Sequence, residues 1–582
     1  MGMPATRPRK ITVELDVPAR MRDGVALRAN VYRPEGPGPW PALLNRTPYG
    51  KDEIAATSWP GLDPVQAASQ GFIVAVQDTR GRFGSDGDWE AYRTEACDGF
   101  DSVEWLAGLQ ACNGRVGMYG GSYHGNNQWL AAARRPPSLA AIAPSQTWSD
   151  PADGLLSRGG AVELGVALRW ALENGYDSLR RSEPDTRELA RRASALMDEW
   201  DRLSEAGYWE LPVAGSAVLK RHNVSDLGAI PALDDPGIGD RCRVTGLYGS
   251  IAVPSFHTAG WYDIFTQGTL DNYQAMVAAG HEARLVVGPW THLAFGDPIG
   301  QRFFGMRAGR DGTAVHAGHD LVGLQLAWFR RHLLPAPEQE LPAAPVRIFV
   351  MGRNEWRDET GWPPARAVRQ QWFLHSDHSL RPTAERGDDT PASEFTYDPA
   401  DPAPTLGGNG VLRPGYPGGP VDQSTVESRD DVLVYTSEPL REDLEVTGRV
   451  TAVLHAASSA SSTDWVVRLC DVDPEGRSLN LCDGIVRVAA GADRLQRHVI
   501  DLWSTSNVFL RGHRIRVQVT SSSFPRWDRN LNTGDQRGTR YQAARQQFSH
   551  RASQPTYVEL PVIPAAIRSA VAPANQVGNG GG

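Results

Sequence analysis

A glycine-flanked serine between an apolar strand and a helical segment constrains the fold of this chain more than any other feature. Residues 115–125 read Arg-Val-Gly-Met-Tyr-Gly-Gly-Ser-Tyr-His-Gly. A sharp strand-to-helix turn of this kind, a nucleophile elbow, presents Ser122 to a base while backbone N–H groups stabilise an oxyanion. The two glycines before the serine let the backbone bend. The motif departs from G-x-S-x-G, because His124 holds the position where glycine is usual and Gly125 follows it.

Two other interpretations compete with the elbow. A Gly-Gly-Ser sequence between a strand and a helix also occurs in plain turns and in loops that bind phosphate. The spacing here is G-G-x-x-x-G, whereas the dinucleotide fingerprint is G-x-G-x-x-G with an acidic residue about 20 positions later. No such acidic residue stands out in this sequence. The pattern therefore favours the elbow.

The charge of the chain limits its partners. Its 582 residues carry a formal net charge of −9, and no long basic run is present. This argues against nucleic acid or an anionic membrane surface as the main partner. A small uncharged or cationic substrate fits better, and the oligomeric state stays open, a homo-oligomer included. A length of about 150 residues per domain suggests two to four domains.

Targeting, metal and disulfide patterns are not evident. The first residues lack the apolar run of a secretory signal, and no window reaches about 18 apolar residues, so we expect a cytoplasmic protein with no membrane segment. The five cysteines are widely spaced without C-x-x-C, which indicates reduced, buried thiols. Without H-E-x-x-H or a Cys/His cluster, we expect no metal and no cofactor.

The first part of the chain alternates between strand and helix patterns. A β-hairpin is predicted around Asp23-Gly24, because two β-rich runs flank that turn dipeptide. Strands are predicted at 40–46, 72–77, 115–119 and 140–144, and helices at 94–109 and 123–134. Such alternation with short connections predicts an α/β fold, in which helices cover both faces of a parallel sheet.

The predicted architecture is an α/β-hydrolase core with two additions. Residues 1–146 form the first part of the core, and residues 147–245 form a charged, helix-periodic cap inserted between sheet strands. Strand and helix patterns resume in the second part of the core, residues 246–366. Residues 367–582 contain short β-branched runs between turn signals, which predicts an all-β jelly roll. The glycine-rich tail, 574–582, is predicted to be disordered.

The elbow sets the order in which a catalytic acid and base must follow, each just after a later strand. The strand in SIAVPSFHTA runs into Asp263, and the strand in ARLVVGPW runs into His292. His292 would take the serine proton, and Asp263 would fix the tautomer of its imidazole. His124 and His257 are less suitable bases, because the first is too close to Ser122 along the chain and the second precedes the acid.

Two donors are expected for the oxyanion. The backbone N–H of Tyr123, directly after the nucleophile, supplies one. The loop at 46–51 carries no His-Gly-Gly-Gly motif that would supply the other. A tyrosine hydroxyl can replace the missing amide, so Tyr49 in that loop is the candidate.

These segments resemble the cocaine-esterase and X-prolyl dipeptidyl-peptidase family of serine hydrolases. The resemblance rests on NRTPY at 45–49, QDTRGRFGS at 77–85, GGSYHG at 120–125, GWYD at 260–263, GPWTH at 288–292, GHRIRV at 512–517 and FPRWDRNLN at 524–532.

The resemblance implies the same three-part architecture, the triad of Ser122, Asp263 and His292, and an oxyanion hole formed by Tyr49 and the Tyr123 amide. It further implies that aromatic residues of the cap and core face the acyl group, and the candidates are Trp148, Trp170 and Phe265. Residues 77–88 are expected to be structural, with Arg80 and Asp78 paired beneath the site.

The substrate is expected to be a carboxylic ester with a small aromatic or hydrophobic acyl group. The alternative is an amidase, aminopeptidase or acyl transferase of the same family, similar to X-prolyl dipeptidyl peptidases, α-amino-acid ester hydrolases or β-lactam acylases. Members that bind a substrate ammonium need a carboxylate, which Glu163, Glu173 or Asp177 could supply. A non-catalytic carbohydrate-binding protein is disfavoured by the intact candidate triad.

Overall fold

The computed structural model describes residues 8–53, 61–313, 319–335, 341–489 and 494–564. Within residues 8–53 and 61–146, the chain forms six strands and three helices. The strands are β1 (Ile11–Arg20), β2 (Ala26–Pro34), β3 (Trp40–Thr47), β4 (Ile73–Asp78), β5 (Cys112–Gly121) and β6 (Leu139–Ser145). The helices are α1 (Pro64–Ser69), α2 (Glu95–Ala107) and α3 (Tyr123–Ala133). β1 and β2 form the predicted antiparallel hairpin.

The cap consists of helices and a two-residue hairpin. Its helices are α4 (Leu164–Glu173), α5 (Gly175–Ser182), α6 (Thr186–Asp201) and α7 (Ala217–His222), and its hairpin pairs β7 (Ser157–Arg158) with β8 (Ala161–Val162). Short 3-10 helices follow at Gly207–Trp209, Pro231–Leu233, Pro236–Arg241 and Tyr248–Ser250. α6 begins where the Asp185 carboxylate accepts hydrogen bonds from the N–H groups of Arg187 and Glu188, a usual N-cap.

The second part of the core completes the sheet. Its elements are β9 (Ser255–Tyr262), α8 (Thr266–Ala278), β10 (Ala283–Thr291), 3-10 turns at Met306–Ala308 and Arg310–Thr313, α9 (Leu321–Leu333), β11 (Val346–Val350) and β12 (Glu355–Glu359). The strand order in the sheet is β1-β2-β4-β3-β5-β6-β9-β10-β11-β12. Seven neighbouring strands of this sheet run parallel, in the order β4-β3-β5-β6-β9-β10-β11. Their carboxyl ends therefore meet at one edge. The predicted fold class is confirmed.

The remaining strands form two packed antiparallel sheets. They are β13 (Val368–Leu374), β14 (Leu380–Arg381), β15 (Ser393–Tyr397), β16 (Leu433–Thr436), β17 (Leu444–Ser458), β18 (Ser462–Val472), β19 (Ser478–Ala489), β20 (Gln496–Phe509), β21 (Arg514–Thr520), β22 (Ala544–Phe548) and β23 (Tyr557–Ile563), with the short helix α10 (Ser424–Glu427) between β15 and β16. One sheet has the order β14-β13-β23-β17-β22-β15 with β20 beside β17, and the other has the order β16-β21-β18-β19. Buried apolar side chains such as Trp465, Leu502 and Val517 form the core of this domain.

The boundaries predicted from the sequence fall in connections between these elements. Residue 146 follows β6, and residue 366 lies between β12 and β13. Within SIAVPSFHTA, the strand begins only at Ser255. The tail at 574–582 lies outside the described residues. None of the described helices is long and apolar enough to cross a membrane.

The cap is docked on the all-β domain by a buried arginine. The Arg158 guanidinium donates to the backbone carbonyls of Asp483 at 2.6 Å and Asp501 at 3.0 Å. It also lies over the Trp503 ring, 3.6 Å from the ring centroid. A buried cation with bonded partners fixes the orientation of both surfaces, because an unpaired one would be costly.

Replacing this arginine should destabilise the protein. We expect Arg158→Ala to lower the free energy of unfolding by about 3–5 kcal/mol, because it leaves buried polar groups without a partner. Calorimetric Tm measures the effect. Arg191→Ala is the control, since its ion pair with Glu188 is exposed and should contribute less than about 1 kcal/mol. Equal Tm shifts in the two variants would contradict a docking role for Arg158.

Candidate active site

Ser122 sits in a strained turn at the carboxyl edge of the sheet. It follows β5 directly, precedes α3, and has φ 56° and ψ −123°, a backbone conformation that non-glycine residues rarely adopt. Its N–H points to the carbonyl oxygens of Ser145 (3.0 Å) and Gln146 (3.1 Å) at the end of β6. The Thr147 hydroxyl donates to the Ser122 carbonyl at 2.9 Å. The neighbouring strand therefore holds the turn in place.

The unusual glycine spacing has a steric explanation. A Cβ atom on Gly125 would lie 2.8 Å from the Thr147 Cβ and 3.1 Å from the Ser145 carbonyl oxygen. A Cβ atom on Gly120 would lie 2.6 Å from the Cβ of His124. The close approaches thus fall at positions 120 and 125, and position 124 has room for a side chain.

The predicted acid and base meet at the same edge of the sheet. Asp263 follows β9, His292 follows β10, and the two strands are parallel neighbours. The His292 Nδ1 and Asp263 Oδ2 atoms are 2.5 Å apart. The Asp263 carboxylate is fully buried, and its other oxygen accepts a hydrogen bond from the Phe265 N–H at 2.7 Å. With Nδ1–H directed to the carboxylate, Nε2 is the nitrogen that can take a proton from a hydroxyl.

Ser122 and His292 border one cavity of about 840 Å³ between the core and the cap. Tyr49 lies beside them on the same wall. Apolar side chains form one part of the remaining wall, namely Phe83, Val166, Trp170, Leu227, Ile264, Phe265, Leu293 and Val411. Charged side chains form another part, namely Glu53, Arg82, Arg169, Glu173, Asp177 and Arg180. A cavity of this size, with an apolar part beside Ser122, suits a small ligand.

Tyr49 presents its hydroxyl to the nucleophile. The Trp170 indole N–H donates to this hydroxyl at 3.2 Å, and the Tyr49 ring packs edge-on against His124, with centroids 5.3 Å apart. Burial raises the pKa of Tyr49 to about 12, although hydrogen bonds with Trp170 and Ser122 oppose the rise. The phenol therefore stays protonated at neutral pH and can donate a hydrogen bond.

Tyr123 offers its backbone to the site while its side chain points away. It is the first residue of α3, so its N–H has no carbonyl one turn earlier in the helix. Its hydroxyl donates to Glu95 at 3.0 Å, and Glu95 pairs with Arg46 at 2.6 Å. All three side chains are buried. This buried pair beneath the elbow was not identified from the sequence, although Arg46 lies in the NRTPY string.

The three aromatic residues predicted for the acyl pocket lie in two different places. Trp170 and Phe265 border the cavity. Trp148 is fully buried behind Phe265, with ring centroids 5.0 Å apart. Its indole N–H donates to the Cys242 carbonyl at 3.0 Å. That hydrogen bond holds Trp148 in the packing between core and cap, so the structure does not place it at the cavity wall.

The predicted pair between Arg80 and Asp78 is wrong. Arg80 instead binds Asp98 on α2, with Nη2 to Oδ1 at 2.6 Å. The Asp78 carboxylate accepts hydrogen bonds from the backbone N–H groups of Lys51 at 2.6 Å and Gly84 at 3.1 Å. Asp78 therefore secures the loop that carries Tyr49, and Arg80 joins the loop after β4 to α2.

The carboxylates of the cap that could bind a substrate ammonium already have partners. Asp177 lies 3.5 Å from Arg82 and 3.0 Å from Arg180. Glu173 pairs with Arg169 at 3.2 Å.

Glu163 does not border the cavity, because it accepts a hydrogen bond from the Trp527 indole N–H at 2.8 Å and faces the all-β domain. The cap thus offers paired carboxylates and not a free anionic subsite.

The rival histidines are buried and neutral. Burial lowers the pKa of both His124 and His257 to about 3. His257 is bonded to the Ser255 hydroxyl at 2.8 Å. Neither ring nitrogen of His124 has a hydrogen-bond partner within the part of the chain that the structure describes. A base with so low a pKa takes a serine proton poorly, which leaves His292 as the better candidate.

Cysteines and metal ligands do not form a second site in the described ranges. The five cysteines are free thiols, and Cys97 and Cys112 are only half-buried, contrary to the expectation of burial. In the same ranges, no group of three or more His, Cys, Asp or Glu side chains is arranged to hold a metal ion.

Comparisons with known proteins agree with this architecture. The X-Pro dipeptidyl-peptidase (S15 family) model matches residues 23–294, and the X-Pro dipeptidyl-peptidase C-terminal non-catalytic domain model matches residues 342–559. The cocaine esterase of Rhodococcus sp. (strain MB1 Bresler) is 36% identical over 592 residues, which cover 95% of this chain and 99% of that protein. The chain is a serine hydrolase of the esterase class, and it belongs to the X-Pro dipeptidyl-peptidase (S15) family. The predicted resemblance is confirmed.

Solved structures share the whole fold. An aminopeptidase from the marine sediment archaeon Thaumarchaeota archaeon superposes with a TM-score of 0.76 and 24% identity, over 97% of this chain and 98% of that one. An α-amino acid ester hydrolase superposes with a TM-score of 0.75 and 23% identity, over the same shares of the two chains. At these identities the likeness establishes the fold alone.

The buried His124 should make the protein sensitive to acid. Between pH 6.5, its ordinary pKa, and about 3, its pKa in the folded protein, only the unfolded chain binds a proton at this imidazole. Stability is therefore fully present above pH 6.5 and is lost as the pH falls through this window. We expect the drop in Tm from pH 7.5 to pH 5.5 to be smaller in His124→Leu than in the parent. Equal drops would show that the folded protein already binds this proton.

Proposed function

We propose that this protein hydrolyses carboxylic esters that carry a small aromatic or hydrophobic acyl group. Ser122 is the nucleophile, His292 the general base, and Asp263 the acid that orients the base. The observation that carries the proposal is the 2.5 Å contact between His292 and Asp263 at a cavity that Ser122 also borders. Nucleophile, base and orienting acid in this arrangement are the requirements for acyl transfer.

The reaction proceeds through an acyl-enzyme. The Ser122 Oγ attacks the ester carbonyl while His292 Nε2 takes its proton, and the imidazolium then returns that proton to the leaving alkoxide. The Tyr49 hydroxyl and the Tyr123 N–H donate to the oxyanion of each tetrahedral intermediate. In the second half, His292 takes a proton from water as the water attacks the acyl-enzyme. The carboxylic acid is released, and the imidazolium returns the proton to the Ser122 oxygen.

The wall of the cavity supports an uncharged acyl group. Trp170 and Phe265 form apolar surfaces beside Ser122, and aromatic surfaces bind an aryl or alkyl acyl chain by burying it. Glu173 and Asp177 have arginine partners. At these two carboxylates, a substrate ammonium would have to compete with the arginines for a counter-charge.

The alternative within the family is hydrolysis or aminolysis of an amide. The relatives named aminopeptidase and α-amino acid ester hydrolase share the fold, and the same triad would serve each reaction. The charge pairing in the cap favours the neutral ester over an α-amino substrate.

A matched substrate series tests this choice. We expect 4-nitrophenyl 3-phenylpropanoate to be hydrolysed with a kcat/KM at least ~10-fold above that of the 4-nitrophenyl ester of phenylalanine, once both are corrected for hydroxide hydrolysis. The reason is that the two cap carboxylates at the cavity, Glu173 and Asp177, are already paired with arginines. The 4-nitroanilide of the same acid reports amidase activity. Ser122→Ala should lower kcat on the order of 10⁶-fold and abolish fluorophosphonate labelling. Faster cleavage of the amino ester or the anilide would support the alternative, and activity that survives in Ser122→Ala would remove the mechanism.

Tyr49 can be tested separately. Tyr49→Phe removes one hydroxyl and keeps the ring against His124, so we expect kcat to fall by about 10²–10³ with little change in KM, because the hydrogen bond strengthens in the transition state. The measurements are kcat and KM for one aryl ester, with Tm as the check on folding. An unchanged kcat would assign Tyr49 to packing and would leave the proposed triad untouched.

A further inference from the structure

One loop of the connection between β15 and β16 reaches into the candidate active site. We call residues 407–420 the bracing loop. Its two ends are paired, since the N–H of Gly408 donates to the Gly419 carbonyl at 2.7 Å and the reverse bond measures 2.9 Å. Between these ends, the Val411 side chain borders the substrate cavity. A domain whose family model is described as non-catalytic therefore contributes to the wall of the site.

The bracing loop holds the turn that carries the candidate acid. The amide nitrogen of Asn409 donates to the backbone carbonyls of Trp261 at 3.1 Å and Asp263 at 3.0 Å. Asn409 is buried. Because one NH₂ group has two hydrogens, a single side chain bridges both carbonyls and fixes their separation.

This bridge acts on a turn that also has local support. The Asp263 N–H donates to the Gly260 carbonyl at 3.0 Å, and the Thr266 hydroxyl donates to the Asp263 carbonyl at 2.6 Å. These local bonds form the turn itself. The bond from Asn409 ties the turn that carries the Asp263 carboxylate to another domain.

The same loop contacts two further parts of the site. The Arg413 guanidinium donates to the carbonyls of Trp200 at 3.2 Å and Asp201 at 2.7 Å, where α6 ends in the cap. The Pro420 carbonyl accepts a hydrogen bond at 2.8 Å from the N–H of Gln301, in the connection that follows His292. Acid turn, base connection and cap are thus all fastened to the bracing loop.

We propose that Asn409 is a positioning residue for catalysis, which holds Asp263 at the angle and distance that orient His292. This inference rests on the proposed role of Asp263 as the triad acid. Asn409 does not touch the reacting atoms, so its loss affects turnover through Asp263. Misplacement of the imidazole lowers kcat more than KM, because the substrate still binds the same apolar wall.

A double-mutant cycle tests the proposal. We expect Asn409→Ala to lower kcat about 10-fold or more, with KM within about twofold, for a neutral aryl ester at a temperature where the variant is folded. In an Asp263→Asn background, the same change should lower kcat less than about twofold, because the residue acts through an acid that is already lost. The near absence of a further loss is the result that a merely structural role would not give.

Gln423 provides the matched control. Its buried amide also donates to two backbone carbonyls, those of Leu406 at 3.0 Å and Val421 at 2.9 Å, and it does not contact the acid turn. Gln423→Ala should lower Tm and leave kcat within about twofold.

Three results would overturn the inference: an unchanged kcat in Asn409→Ala, an equal loss of kcat in the two backgrounds, or a loss of kcat in Gln423→Ala as large as that in Asn409→Ala. An Asp263→Asn variant with the kcat of the parent would instead refute the proposed triad, so the two failures are distinguishable.

Discussion

The strained backbone conformation at Ser122, with a positive φ, is the constraint on which the rest of the site depends. A serine does not adopt this conformation unless its surroundings fix it, and here the end of β6 supplies two carbonyl acceptors and Thr147 a donor. The stability of the whole parallel sheet offsets the free energy of that strain. Once the serine is fixed, the neighbouring strands determine which loops can reach it, because all their carboxyl ends meet at one edge.

Polar groups around the site are held by many partners. Asp263 is bonded to His292 and to the Phe265 N–H, and the elbow rests on the buried pair of Arg46 and Glu95. Groups held in this way need little reorganisation when charge develops in the transition state. The rest of the cavity wall combines apolar side chains such as Trp170 and Phe265 with paired charges such as Arg169 and Glu173.

Residues that follow regular strands can be placed from the sequence. Prediction from sequence fails where a contact depends on the path of an irregular loop. Ser122, Asp263 and His292 each follow a strand whose apolar run is recognisable, so their convergence could be predicted. The partner of Arg80 could not, because the loop after β4 turns at Gly81, with φ 68°, and carries Arg80 toward α2. The family resemblance predicts Trp148 at the pocket, but it is buried behind Phe265 and its indole N–H donates to the Cys242 carbonyl. The contact between Asn409 and Asp263 spans 146 residues and leaves no local pattern.

The docking of the cap affects how the enzyme selects its substrate. Arg158 fastens the start of the cap to the all-β domain, and Arg413 fastens the end of α6 from the other side. Contacts at two separated points restrict the motion of the cap relative to the all-β domain. The cap side of the cavity is then shaped as the chain folds and before a substrate arrives, which is preorganisation of the wall against which an acyl group would pack.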